Sequence, residues 1–187
     1  LSENTERAES LFRELLAEQK RKRLPPVHLW NPDHEGEIDI RIARDGTWYY
    51  LGTPIPRKAM VRLFSTVLRR EDDAYFLVTP VEKLRIRVDD APFVAVLLEV
   101  EGEGEDQNLL VTTNTEDHVL IDDEHPLRVE TIDGEPAPYV LVRDSMEALV
   151  SRNVFYQLVD LAKPRKRDGE TELGVWSAGE FFSLGKL

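Results

Sequence analysis

From Val81 to Val142 the chain passes through six short stretches separated by clusters of turn formers. The stretches are Val81 to Val88, Phe93 to Glu101, Gln107 to Asn114, His118 to Asp122, Pro126 to Ile132 and Pro138 to Val142. Separators such as Asp89-Asp90-Ala91-Pro92, Gly102-Glu103-Gly104 and Asp133-Gly134-Glu135-Pro136 supply the residues that tolerate tight turns. Strands joined by connections this short pair antiparallel, so an antiparallel sheet is the expected framework. Residues Asp144 to Ala162 carry Met146, Leu149, Val150, Val154, Phe155 and Leu158 and read as an amphipathic helix closing the open end of a curled sheet.

A second pattern spans the whole chain. Ile38, Ile40 and Ile42 alternate with Asp39 and Arg41, Asp45-Gly46 offers a hairpin turn, and Trp48 to Leu51 returns before a helix over Arg57 to Arg70. The same succession recurs as Leu127 onward, Asp133-Gly134, Tyr139 to Val142 and the helix from Asp144. The expected fold is therefore α+β, two halves with a repeated hairpin–helix unit, the C-terminal half a curled antiparallel sheet with a pleckstrin-homology-like outline. The expected division is residues 1–80 and 81–187. Ahead of both, Glu3 to Lys20 places Ala8, Leu11, Phe12, Leu15 and Leu16 on one helical face, and Pro25-Pro26 ends it.

Composition narrows the function classes. Thirty-six acidic against 24 basic residues give a net charge of −12, which repels nucleic-acid phosphates over most of the surface. With no cysteine, disulfides, thiolate zinc sites and cysteine nucleophiles are all excluded. The longest apolar run, Phe93 to Leu98, is too short to span a bilayer, and the charged N-terminus is unlike an export signal. A soluble cytoplasmic protein is the expectation.

Few residue groupings suggest chemistry. On the helix expected over Arg57 to Arg70, residues Arg62, Ser65, Thr66 and Arg69 fall at i, i+3, i+4 and i+7. Two guanidinium groups and two hydroxyls on one strip can hold a phosphate, the alternative being a solvated face paired to carboxylates. Trp48 and Tyr49 nearby could stack a base or ring, the alternative being packing in the sheet. Lys83, Arg85 and Arg87 form a basic stripe on one strand, expected to pair with Glu99, Glu101 or Glu130. Glu37 and Asp39, near His34 and Glu35, share a strand face and could serve as an acid–base pair, but they lack metal-ligand spacing. Asp122-Asp123-Glu124-His125 reads as a turn. The chain has no glycine-rich phosphate loop or nucleophile elbow, and Lys163 to Gly169 reads as a polar breaker before a tail whose Val175-Trp176 and Phe181-Phe182 pack back onto the body.

The strings HLWNPDHEGEIDIRIARDGTWYYLGTPIPRKAMVRLFSTVLRRE, LVTPVEKLRIRVDDAPF, TTNTEDHVLIDDEHPLRVE and PYVLVRDSMEALVSRNVFYQLV together resemble the bacterial family known as domain of unknown function 1285. The resemblance runs from Pro26 to Ala162. It implies duplicated α+β units, a pleckstrin-like C-terminal half, and a signalling protein holding a nucleotide-based ligand between its halves.

Three functions are thus expected in turn. The first is a regulatory module binding a nucleotide-like small molecule through Arg62, Ser65, Thr66, Arg69, Trp48 and Tyr49, with no metal and no identified cofactor. The second is a protein-interaction adaptor. The third is a hydrolase or transferase using Glu37 and Asp39, which requires those carboxylates to be removed from solvent.

Overall fold

The computed structural model describes residues 24–187. The expected helix over Glu3 to Lys20 lies outside the described residues. The described residues divide into two compact units, the first ending at Asp89 and the second spanning Asp90–Leu187. The division expected between residues 80 and 81 thus moves to the Asp89–Asp90 bond, because the strand Glu82–Val88 pairs with strands of the first unit.

The first unit holds β1 (His34–Ile42), β2 (Trp48–Tyr50), β3 (Thr53–Pro54), helix α1 (Lys58–Ser65), β4 (Leu68–Glu71), β5 (Ala74–Val78) and β6 (Glu82–Val88). They form one sheet in the order β3-β2-β1-β6-β5-β4. Every pairing is antiparallel except the central one, β1 with β6. Alternation explains the buried face: Leu68, Leu77 and Leu84 are register partners and fully buried, as are Ile40 and Ile42 on β1. Phe64 of α1 stacks on Trp48 from the sheet, with ring centroids 6.3 Å apart.

The second unit contains β7 (Phe93–Glu101), β8 (Asn108–Thr113), β9 (His118–Leu120), β10 (Leu127–Ile132), β11 (Glu135–Arg143) and β12 (Met146–Val150). Its sheet runs β10-β11-β12-β7-β8-β9, again with one parallel pair at the centre, β12 with β7. Helix α2 (Arg152–Leu161) follows, then a three-stranded antiparallel sheet of β13 (Lys163–Arg167), β14 (Glu170–Ser177) and β15 (Glu180–Lys186). The described chain is mostly β, with 54 % of its residues in strands and only two α-helices.

The two six-stranded sheets share one topology. In each, a three-stranded meander is followed by a second, whose last strand returns to lie parallel beside the first strand of the sheet. The repeat is therefore six strands, β1–β6 and β7–β12, and not the hairpin–helix unit expected from the Asp-Gly pairs. Asp45-Gly46 joins the first two strands of its sheet, whereas Asp133-Gly134 joins the fourth and fifth of the other. Their turns differ too. Asp133 and Gly134 both have positive φ, 52° and 82°, as a type I′ turn requires, but of the first pair only Gly46 does, at 89°. There Gly46 N–H donates to the Ala43 carbonyl at 2.9 Å and Thr47 N–H to the Asp45 side chain at 2.9 Å, a three-residue loop with glycine in the left-handed position.

Both helices are shorter than the sequence suggests. Helix α1 ends at Ser65, not Arg70, because Leu68 to Glu71 enters a strand and turns back through Asp72 at φ 52°. Helix α2 begins at Arg152, not Asp144: Asp144 and Ser145, at φ 47° and 61°, make a hairpin turn, and Met146, Ala148 and Val150 alternate inward along β12. The Ser151 hydroxyl, just after that strand, caps α2 by accepting from Val154 N–H at 3.4 Å.

Residues 163–167, read as a breaker, are the strand β13, and the aromatic tail forms β14 and β15 as packed elements. Trp176 and Phe181 meet edge to face at 5.4 Å, with the Arg165 guanidinium 3.9 Å from the Phe181 ring centroid. Only glycine fits at 174: a Cβ there would lie 2.3 Å from the Phe182 carbonyl oxygen and 2.5 Å from the Phe181 ring.

Candidate functional site

The strip expected on one helix is divided between two elements. Arg62 is exposed on α1, while Arg69 lies on β4. Ser65 is 2 % exposed and its hydroxyl donates to the Arg62 carbonyl at 2.6 Å; the Thr66 hydroxyl donates to the Leu63 carbonyl at 2.6 Å. Both hydroxyls therefore serve the carbonyls at the end of the helix. Trp48 is 1 % exposed, with Phe64 across its face. Tyr49 carries the Arg41 guanidinium 4.5 Å above its ring.

Arg69 anchors an ion-pair network on the other face of the sheet. Its guanidinium donates to the carbonyls of Val27 at 3.0 Å and Trp30 at 2.6 Å, tying down the 3-10 turn at Val27–Leu29, and pairs with Glu71. Lys83 bridges Glu35 at 2.8 Å and Glu71 at 3.0 Å, with its ammonium 4.8 Å from the Phe76 ring. Burial opposes the ionised form of Glu71, but the hydrogen bonds from Lys83 and Arg69 outweigh it and hold its pKa below the ordinary value. Hydrogen bonds to Glu35 and then Glu71 raise Lys83.

This face continues across the central parallel pair. The register sets Glu35 against Lys83 and Glu37 against Arg85, and Arg87 reaches Asp39 at 2.9 Å. The basic stripe of Lys83, Arg85 and Arg87 thus meets acidic residues of β1, and not Glu99, Glu101 or Glu130 as expected; Glu130 pairs with Arg128. The register shifts between Glu37 and Arg41, and a concavity of about 530 Å³ beside it is lined by Glu37, Ile38, Asp39, Arg85, Ile86 and Arg87. Glu37 and Asp39 are both exposed, so the hydrolase or transferase expectation loses the desolvated carboxylates that it requires. Among the described residues no three His, Asp or Glu side chains gather as metal ligands. Asp122 accepts from the backbone N–H groups of Glu124 and His125 at 3.0 and 2.8 Å, the turn expected there.

A second concavity of the first unit is apolar. Between α1 and the β1–β3 meander lies a cleft of about 240 Å³ lined by Ile40, Tyr50, Thr53, Pro54, Ile55, Pro56, Met60 and Phe64. Each element contributes for a local reason. Alternation along β1 turns Ile40 inward; Leu51-Gly52, at φ 50° and 77°, folds β3 back on β2; and the two prolines keep the chain extended until α1 starts. Met60 and Phe64, four residues apart, then share the helix face toward the cleft. Burial, followed by the nearby Asp39 carboxylate, raises the Tyr50 pKa. Sequence pattern does not reveal this cleft, because its residues are scattered over four elements and a linker. Its one local signal was Ile55, an apolar residue set between two prolines outside any strand.

Two family patterns match the chain: "Domain of unknown function (DUF1285), N-terminal domain" over residues 25–91 and "Protein of unknown function (DUF1285), C-terminal domain" over residues 92–184. The two patterns divide within two residues of the structural boundary. The crystal structure of a DUF1285 family protein from Silicibacter pomeroyi DSS-3 is 53% identical, with a TM-score of 0.83 over 92% of this chain and 95% of that one. A second, from Shewanella baltica OS155, is 30% identical, with a TM-score of 0.51 over 65% of this chain and 90% of that one. No curated protein matches. The chain belongs to the DUF1285 family.

Proposed function

We propose that this DUF1285 protein is a regulatory module that binds a small molecule, and that its site is the apolar cleft beneath α1. The observation that carries the reading is the cleft itself: eight side chains from three strands, a linker and a helix enclose about 240 Å³ without a charged group among them. Apolar concavities with one or two polar groups at the rim are the usual form of small-molecule sites. At about 240 Å³ the cleft suits a ligand at the small end of that class. The Arg62, Ser65, Thr66 and Arg69 strip gives a nucleotide less support, since both hydroxyls and the Arg69 guanidinium are engaged within the chain.

Thermal unfolding tests this reading. A compound that binds the native state at about 100 times its Kd adds about 2.7 kcal/mol of stability, a shift of several degrees. Small apolar compounds are expected to raise the melting temperature, and Met60→Trp, which fills the cleft, to abolish the effect while keeping the native circular dichroism. An unchanged melting temperature across apolar compounds and nucleotides alike would remove the case for a small-molecule module.

A further inference from the structure

The chemistry of the cleft wall defines the ligand further, an argument that rests on the cleft being the binding site. One wall is the stretch Thr53-Pro54-Ile55-Pro56. Pro54 and Pro56 have no N–H, and the Ile55 N–H is already engaged, donating to the Trp48 carbonyl at 2.8 Å. The opposite wall is helix, where Met60 N–H donates to the Arg57 carbonyl at 3.0 Å. These backbone donors are therefore not available to a ligand. An anion needs donors or cations when it leaves water, and no lining side chain is a cation. The surrounding field adds to this: the chain carries −12, and Asp39 lies close enough to Tyr50 to disfavour a second negative charge there.

We infer that the cleft takes an uncharged, apolar group and discriminates against carboxylates and phosphates. At about 240 Å³ it exceeds the 150 Å³ cavity that accommodates benzene, so a fused bicyclic ring or a chain of about eight carbons fits. Met60, unbranched and adaptable, lets ring and chain share one site.

Matched pairs of probes test the inference on the whole chain: 1-octanol against octanoate, and indole against indole-3-carboxylate, titrated calorimetrically at pH 7.5 with Met60→Trp in parallel. Ile55→Trp, which fills the cleft from the other wall, replaces Met60→Trp if that variant does not fold. The expected result is binding of the neutral member at least tenfold tighter than its anion, lost when the cleft is filled. An anion that binds as well as its neutral partner, and is lost on filling, would overturn the ligand class and leave the cleft reading standing. Binding by neither member of either pair, or binding unaffected by filling, would overturn the cleft reading and this inference with it.

Discussion

Phe64 lies over Trp48 with ring centroids 6.3 Å apart and ring planes inclined by 28°, and Phe64 is also a cleft-lining residue. A ligand that touches one ring therefore perturbs the packing of the other. In a Trp30→Phe, Trp176→Phe background, the emission of Trp48 is expected to change on addition of indole-sized apolar compounds that do not themselves fluoresce in its range. Phe64→Ala removes a fully buried ring and is expected to cost about 3–5 kcal/mol in urea unfolding while abolishing that response.

Ser177 is fully buried where the three-stranded sheet meets the larger sheet of its unit. Its hydroxyl accepts from Leu109 N–H at 3.0 Å and donates to the Ile121 carbonyl at 2.6 Å. Ser177→Ala leaves two backbone groups without that partner and is expected to lower stability by about 1–3 kcal/mol. Chemical denaturation of the two proteins measures it, and equal midpoints would show that the two sheets do not depend on this hydroxyl.

Electrostatics give a prediction with a definite sign. The folded pKa of Glu71 is depressed below its ordinary 4.5, so the stability it contributes is present above pH 4.5 and is lost as pH falls through the folded value. Lys83 is raised above 10.5, so its contribution is present below pH 10.5 and is lost as pH rises through its folded value. Thermal unfolding of Glu71→Gln is expected to fall below that of the native chain at pH 7, with the gap closing in acid below pH 4.5. A gap that stays constant through acid would show that the network around Glu71 is not electrostatic.

Backbone strain supplies the opposite kind of change. Ala178, exposed in the turn joining β14 and β15, has φ 52°, where an alanine Cβ is crowded. Ala178→Gly is expected to stabilise by about 0.5–1 kcal/mol, relief of strain exceeding the greater freedom of the unfolded chain. Differential scanning calorimetry reads this as a rise in melting temperature.

The alternation at Ile38–Ile42 and the separators from Asp89 to Pro136 were legible because period two and turn chemistry are local properties. The parallel pairings of β1 with β6 and β7 with β12 join strands remote in the chain, and nothing local records them. Met146-Glu-Ala-Leu-Val fits helical and strand spacing alike, and the positive φ of Asp144 and Ser145 decides for strand. Helical i+7 spacing continues through Val67 and Leu68 to Arg69, although a strand buries those two apolar residues equally well. At the cleft, Pro54 and Pro56 carry the local signal of punctuation between elements, and their place in a wall without backbone donors emerges only once β3 and α1 are placed.

The most direct test of the central claim is amide chemical-shift mapping of the isotopically labelled chain during a 1-octanol titration. The account predicts saturable shifts concentrated at Ile40, Tyr50, Thr53, Ile55, Met60 and Phe64. Shifts clustered elsewhere, or none at saturation, would contradict it.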